Sequence, residues 1–219
     1  MNAEVLFTPV HRRHVEWLHR QPVVVDPEGM RLGGQYVMFF AEAELMRLHA
    51  ADLLAGRSRG DVLEVGLGLG VFAEQAASIG MGTYTAIEVH SGVADLTRAS
   101  VLDRLSIPVT VHTRPWQLTR LPSTSFDAIM YDTWPPEGLA DDDFTRFVEH
   151  VALPCLRPRG RFSFFCSGST VSSRRREVLD SAFPGWTTRR YTMPAECMPG
   201  GWTKPTRDFV IPIAVKGDG

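Results

Sequence analysis

The stretch Asp61–Val71, DVLEVGLGLGV, constrains this chain more than any other. Val62, Leu63 and Val65 read as a buried strand, and that strand opens directly into Gly66, Gly68 and Gly70. Glycines alternating at such a point let the backbone turn sharply and approach a ligand, because no Cβ stands in the way. The dinucleotide-binding fingerprint G-x-G-x-x-G would need glycine at position 71, where this chain has Val71, with Gly70 one place early. A tight strand-to-helix turn without a ligand is the plainer alternative, so the rest of the chain has to decide.

After Asp61, strand-like and helix-like segments alternate. Strands are predicted at 61–65, 83–88, 108–112, 126–131, 160–166, 186–191 and 208–215, and helices at about 71–79, 91–104, 141–156 and 172–182. Such alternation implies an α/β fold, a parallel sheet with helices on both faces. Ligands of these sheets sit beyond the carboxyl ends of the strands, near the switch point, which would gather Gly66–Gly70, Glu88 and Tyr131–Pro135 around one crevice. Upstream, Thr8 and Pro9 predict an N-cap and first turn of a helix running to about Arg20. Gly33 and Gly34 predict a break before a longer helix from about Gln35 to Ala55, ended by Gly56.

Composition narrows the partners. Apolar residues at 44% and charged residues at 22% suit a globular chain, and a net charge of −2 gives no reason to expect nucleic acid. The basic run Arg174–Arg176 reads as a solvated helix face. No apolar stretch reaches transmembrane length, and the opening MNAEVLFTPVHRRH lacks the charged-then-apolar order of a signal peptide, so no membrane partner is expected. Cys155, Cys166 and Cys197 are odd in number and lack metal-ligand spacing, which predicts free thiols in a reducing cytoplasm and no metal site. The oligomeric state stays open, a homodimer being one option.

Three positions then stand out around the expected crevice. Glu88 ends the second strand about eighteen residues after Gly70, where a carboxylate would accept both ribose hydroxyls of an adenosine. A solvated loop charge is its bland alternative. Beyond the third strand, Trp116 and Gln117 offer a stacking face and an amide for an adenine; a tryptophan that covers the sheet end would look the same.

The glycine motif, read as E-x-G-x-G-x-G from Glu64, resembles the first motif of the Rossmann-like S-adenosylmethionine (SAM) methyltransferases. Tyr131–Pro135 (YDTWP) resembles the Y-D-T-Y-P motif of the guanidinoacetate N-methyltransferases and their arginine-methylating relatives, and differs from the D/N-P-P-Y of many amino-group methyltransferases. The likeness covers most of the chain. Met30–Met38 (MRLGGQYVM) is similar to that family's L-R-x-L-G-K-P-V-M, and Met38, Glu42 and Met46 keep the spacing of its V-M-x-x-W-E-x-x-x-M helix, with Ala41 in place of tryptophan. Ile87-Glu88 repeats I-E, Trp116 stands at W-E with Gln117 for the glutamate, LRPRG from Leu156 resembles L-K-P-G-G, and Met193–Cys197 resembles V-P-P-A-D-C. The segment Gly201–Asp208 has no clear counterpart.

The resemblance implies a seven-stranded sheet whose last strand is antiparallel, with residues 1–56 as an N-terminal helical lid and 57–219 as the SAM-dependent methyltransferase domain. It implies SAM as cofactor, lined by Met38, Met46, Glu64, Gly66, Gly68, Gly70, Glu88, Trp116, Gln117 and Asp132. Cys166–Ser169 falls on the family's C-N-L-T, so the amides of Gly168 and Ser169 would receive a substrate carboxylate. The implied acceptor is a small guanidino compound, free arginine or a guanidinoacetate-like molecule.

The residue types suit that chemistry. A guanidinium has a pKa above about 12 and delocalised lone pairs, so it is a poor nucleophile. Two carboxylates match its planar fork of donors, localise its charge and accept the departing proton. Asp132, at the end of the fourth strand, and Glu42, on the predicted lid helix, are the candidate catalytic and substrate-binding acids. Glu44 is the rival of Glu42, since it would lie about 200° around the same helix. Methionines at i, i+4 and i+8 would equally suit ordinary packing. Three other classes remain: a SAM enzyme with a non-guanidino O- or N-acceptor, a protein-arginine or nucleic-acid methyltransferase, and a non-catalytic SAM-binding subunit. The acid pair argues against the first, the lack of a substrate domain or basic face against the second, and the retained Asp132 against the third.

Overall fold

The structure, a computed structural model, describes residues 6–218; residues 1–5 of the 1–56 segment, and with them part of the stretch read for a signal peptide, lie outside it, as does Gly219. The chain opens with helix α1 (Pro9–His19), followed by strands β1 (Val23–Val25), β2 (Gly29–Leu32) and β3 (Gln35–Phe39). A short 3-10 turn, Phe40–Glu42, leads into helix α2 (Ala43–Leu54). The alternating part comprises β4 (Gly60–Val65), α3 (Val71–Ile79), β5 (Met81–Glu88), α4 (Ser91–Ser100), β6 (Val109–Thr113) and β7 (Phe126–Tyr131). It continues with α5 (Ala140–Phe147, prolonged by a π-helical stretch, Val148–Ala152), β8 (Leu156–Phe164), α6 (Ser173–Ala182), β9 (Thr187–Thr192) and β10 (Asp208–Val215).

The last seven strands form one sheet in the order β6-β5-β4-β7-β8-β10-β9. The first five are parallel, and β10 runs antiparallel to both β8 and β9. The sheet winds outward from β4 in one direction through β5 and β6, then in the other from β7. The switch point therefore falls between the carboxyl ends of β4 and β7, the position at which such sheets bind ligands.

Alternate side chains of the central strands face opposite helical layers. Val62, Ala128 and Met130 pack with Leu53 and Leu54 of α2 and Phe72 and Ala76 of α3. Leu63, Val65, Ile129 and Tyr131 pack with Phe144 and Phe147 of α5 and Leu179 of α6. Burial on both faces is what a parallel sheet requires, and every residue of β7 is buried.

The N-terminal segment departs from the expected pair of helices. Residues 35–39 are strand, not the start of a 35–55 helix, and β1–β2–β3 form a three-stranded antiparallel sheet. Gly33 and Gly34, at φ +58° and +83°, are the two central residues of a tight hairpin turn between Leu32 and Gln35. The aromatic and β-branched run after them, QYVMF, favours strand over helix. Leu18, Met30 and Leu32 then pack on Leu69 of the glycine motif, which fastens this segment over the switch point.

At the opposite end of the sheet, buried Asp127 accepts from Arg57 Nη1 (2.7 Å), Arg157 Nη1 (2.6 Å) and the Asp61 N–H (2.9 Å). Removing its carboxylate would leave two guanidinium groups short of a partner. Asp127→Ala is expected to lower stability by about 2–4 kcal/mol in a denaturant melt, with SAM affinity unchanged. A loss below about 0.5 kcal/mol would show that the cluster is only surface decoration.

Candidate active site

A cavity of about 450 Å³ opens at the switch point, within the size range of small-molecule and cofactor sites. Its floor is the glycine motif. Gly66 has φ +92°, and a Cβ there would stand 1.7 Å from the Asp132 carbonyl oxygen, so glycine is what lets the turns after β4 and β7 touch. Gly68 lines the same floor, and the Leu69 N–H donates to Met38 Sδ at 3.2 Å.

The acids around this floor are mostly buried. Glu88 ends β5 and accepts from the His90 N–H at 2.8 Å and the Gly68 N–H at 3.3 Å; burial raises its pKa. Glu64 accepts from the Tyr84 hydroxyl, and burial holds its pKa well above the usual carboxylate range. Asp132 keeps partial exposure on the cavity wall. Desolvation pushes its pKa up to about 7, with Lys204 pulling it down and the charge of Glu42 pushing it further up. Glu42 is 2% exposed; its carboxylate accepts from the Phe39 N–H at 3.0 Å and pairs with Lys204. So many acids around one cavity favour a cationic occupant.

Helix α1 lines the cavity with His11, His14, Val15 and Leu18 and is tied to its surroundings by three imidazoles. His11 Nε2 bonds Asp143 Oδ1 at 2.7 Å, His14 Nε2 bonds the Trp134 carbonyl at 2.9 Å, and His19 Nε2 bonds the Val89 carbonyl at 2.7 Å. Trp17 meets the Trp134 ring edge-on at 5.5 Å. One helix thus ties the turn after β7 to the turn after β5.

Most residues singled out from sequence meet at this cavity: Met38, Glu42, Met46, Glu64, Gly66, Gly68, Glu88, Trp116, Gln117 and Asp132 all line it. They do so by a different local route than expected. Met38 sits on β3, Glu42 at the end of the 3-10 turn and Met46 on α2, so no single helical stripe carries the three. Glu42 nevertheless faces the cavity, while Glu44 is spent on Arg47 with two bonds of 2.7 Å on the exposed side. Trp116 both lines the cavity and packs edge-on against Phe147 at 5.2 Å, so its two readings are compatible.

Three positions fall elsewhere. Gly70 is not among the lining residues: a Cβ there would meet Thr97 Cγ2 at 2.9 Å, so it is a packing glycine beneath α4. The Gly168 N–H already donates to the Asp208 carbonyl at 2.7 Å, because the turn after β8 is stitched to β10; it has no donor left for a carboxylate. Ser169 is exposed and lines neither this cavity nor the neighbouring one behind Asp132. Conversely, His11, Asp143 and Lys204 line the cavity without having been singled out. Asp143 stood inside an acidic helix start, and Lys204 in the segment without a family counterpart.

A family profile described as guanidinoacetate N-methyltransferase matches residues 10–177, which include both candidate acids, Glu42 and Asp132. The chain belongs to that family. It is a SAM-dependent methyltransferase with a Rossmann-like seven-stranded sheet. A search of curated proteins finds no significant match.

Among solved structures, spermidine synthase from Thermotoga maritima superposes with a TM-score of 0.66 at 17% identity, covering 90% of this chain and 69% of that one. The N-methyltransferase NodS from Bradyrhizobium japonicum WM9, in complex with S-adenosyl-L-homocysteine, gives 0.58 at 14% identity over 81% of this chain and 88% of its own. The cyclase SpnF gives 0.59 at 16%, covering 99% and 94%. At these identities the likeness is one of fold, and a synthase, a methyltransferase and a cyclase on one fold leave the chemistry to the site.

The cavity suits SAM: close-approach glycines, a buried carboxylate at the end of β5, two methionines and an acidic wall for a sulfonium. Glu88→Ala is expected to weaken SAM binding ten- to a hundred-fold, about 1.5–3 kcal/mol, by calorimetry on the folded variant. Unchanged affinity would remove Glu88 from the cofactor site.

Proposed function

We propose that this enzyme transfers a methyl group from SAM to a guanidino nitrogen of a small molecule, free arginine or a guanidinoacetate-like compound. The observation that carries the reading is the presence of Asp132 and Glu42 on one cavity wall, close enough for Glu42 to act electrostatically on Asp132. Bound in the cavity, SAM supplies an electrophilic methyl on a sulfonium.

Glu42, held by the Phe39 N–H and buried, binds one edge of the guanidinium. Asp132 orients the reacting nitrogen, draws positive charge away from it and takes the proton it loses. A base with a pKa near 7 can do that at neutral pH and release the proton afterwards. Helix α1 and the Trp134 turn act as a lid that keeps water from both acids. The substrate tail is not held by the Gly168 amide, so arginine and guanidinoacetate are not separated by that contact. No nucleic acid or membrane enters this reading. No described helix is long and apolar enough to cross a membrane, and free Cys155, Cys166 and Cys197 support a reducing compartment such as the cytoplasm.

Labelled SAM offered with arginine, guanidinoacetate, agmatine and canavanine tests the reading, and label should enter at least one of them. The second reading, a non-guanidino acceptor, draws on one observation: the Lys204 ammonium already pairs with Glu42, which leaves Asp132 as the one member of the proposed acid pair without an ion-pair partner among the described residues. Label in a hydroxyl or amine acceptor and in none of the guanidines would favour it.

A further inference from the structure

Lys204 reaches the cavity from the loop 193–207 between β9 and β10, and its ammonium pairs with Glu42 Oε1. Three aromatic rings surround that ammonium: Phe165 at 4.2 Å, Trp202 at 5.7 Å and Phe39 at 5.9 Å. A buried carboxylate framed by aromatic faces is a site for a cation, and a guanidinium suits it as well as an ammonium does.

The lysine arrives on a short tether. The Gly200 and Gly201 N–H groups donate to the Glu28 carboxylate at 2.8 and 2.9 Å, and Trp202 Nε1 donates to the Thr206 carbonyl at 3.2 Å. The loop is thereby fixed to the β1–β2 hairpin just before Lys204. The Lys204 side chain keeps 19% exposure against 3% for Glu42, so the lysine has a way out to solvent and the glutamate does not.

We propose that Lys204 is a tethered competitor that sets acceptor specificity: it holds the place of the acceptor cation and yields only to one that engages Glu42 and Asp132 together. The inference rests on the guanidino reading above. An ammonium acceptor brings nothing that Lys204 does not already supply, and it must compete with a group whose effective concentration is on the order of millimolar. A guanidinium brings a planar fork of donors that can span both acids. Exchanging one cation for another also spares Glu42 from standing buried and unpaired between turnovers.

The test measures KM for arginine, or for whichever guanidine the labelled-SAM screen selects, in the wild type, Lys204→Met and Lys204→Arg. If the competent, lysine-free form is a minor population, Lys204→Met should lower KM on the order of ten-fold, and lysine or ornithine should become a measurable inhibitor. Lys204→Arg installs a guanidinium and should raise KM. Circular dichroism spectra and cooperative thermal melts like those of the wild type should confirm that both variants fold. As an independent readout, labelling of Lys204 by trinitrobenzenesulfonate should be slow with S-adenosylhomocysteine bound and faster once the guanidine is added.

Turnover of a guanidine with KM the same in all three proteins would overturn the inference alone. So would loss of kcat in Lys204→Met, or discovery of a methyl group on Lys204 itself after incubation with SAM. If no guanidine is methylated and none exposes Lys204, the guanidino reading falls and takes the inference with it.

Discussion

Asp132→Asn should lower kcat by about 10²–10⁴-fold, the range associated with loss of a general base. Asparagine keeps the size of the side chain but cannot take a proton or draw positive charge from the reacting nitrogen. Because Asp132 works in its ionised form and its pKa is pushed up to about 7, kcat/KM of the wild type should rise with pH and level off above that value. The residual activity of the variant should lose this inflection. The same shift makes a stability statement. A carboxyl whose folded pKa lies above its unfolded value favours the fold at low pH and loses that contribution as pH rises through about 7. In a thermal melt without ligand, Asp132→Asn should therefore be more stable than the wild type at pH 8, with a smaller gain at pH 5. A variant with normal kcat and an unchanged pH profile would take Asp132 out of the chemistry.

The largest expected effect is on substrate choice. Replacing the guanidino group of the best acceptor by an amine, as in lysine or ornithine for arginine, should reduce kcat/KM by about 10⁴–10⁵-fold. That is the discrimination seen when a site built for hydrogen bonds is left unfilled. A single ammonium cannot engage Asp132 and Glu42 through a planar fork, and Glu42 in addition already carries Lys204. Steady-state assays with the paired acceptors decide it; turnover of the amine within about ten-fold of the guanidine would point to the non-guanidino enzyme.

The alternating half of the chain was legible because periodicity and punctuation agreed there. Strands β7 and β10 match 126–131 and 208–215, and helix α3 matches 71–79, each bounded by turn residues or glycine. The N-terminal segment was less so. In sequence, Gly33-Gly34 reads as a helix boundary, whereas in the fold it is the centre of a hairpin, and the family spacing of Met38, Glu42 and Met46 suggests one helix. Those three residues line the cavity from a strand, a 3-10 turn and a helix, so they meet there without the single helix that their spacing suggests. Gly168 failed for another reason: its backbone donor is consumed by Asp208 across the β8–β10 junction, a partner forty residues away that no local pattern announces. Lys204 and Asp143 are long-range partners of the same kind, meeting Glu42 and His11 only in the folded chain.

The most direct measurement is the position of the transferred methyl. With SAM carrying carbon-13 in its methyl group and the acceptor of highest turnover, the product spectrum should show the labelled methyl coupled to the guanidino carbon through one nitrogen. A labelled methyl found instead on oxygen, or on an amine nitrogen, would contradict the account.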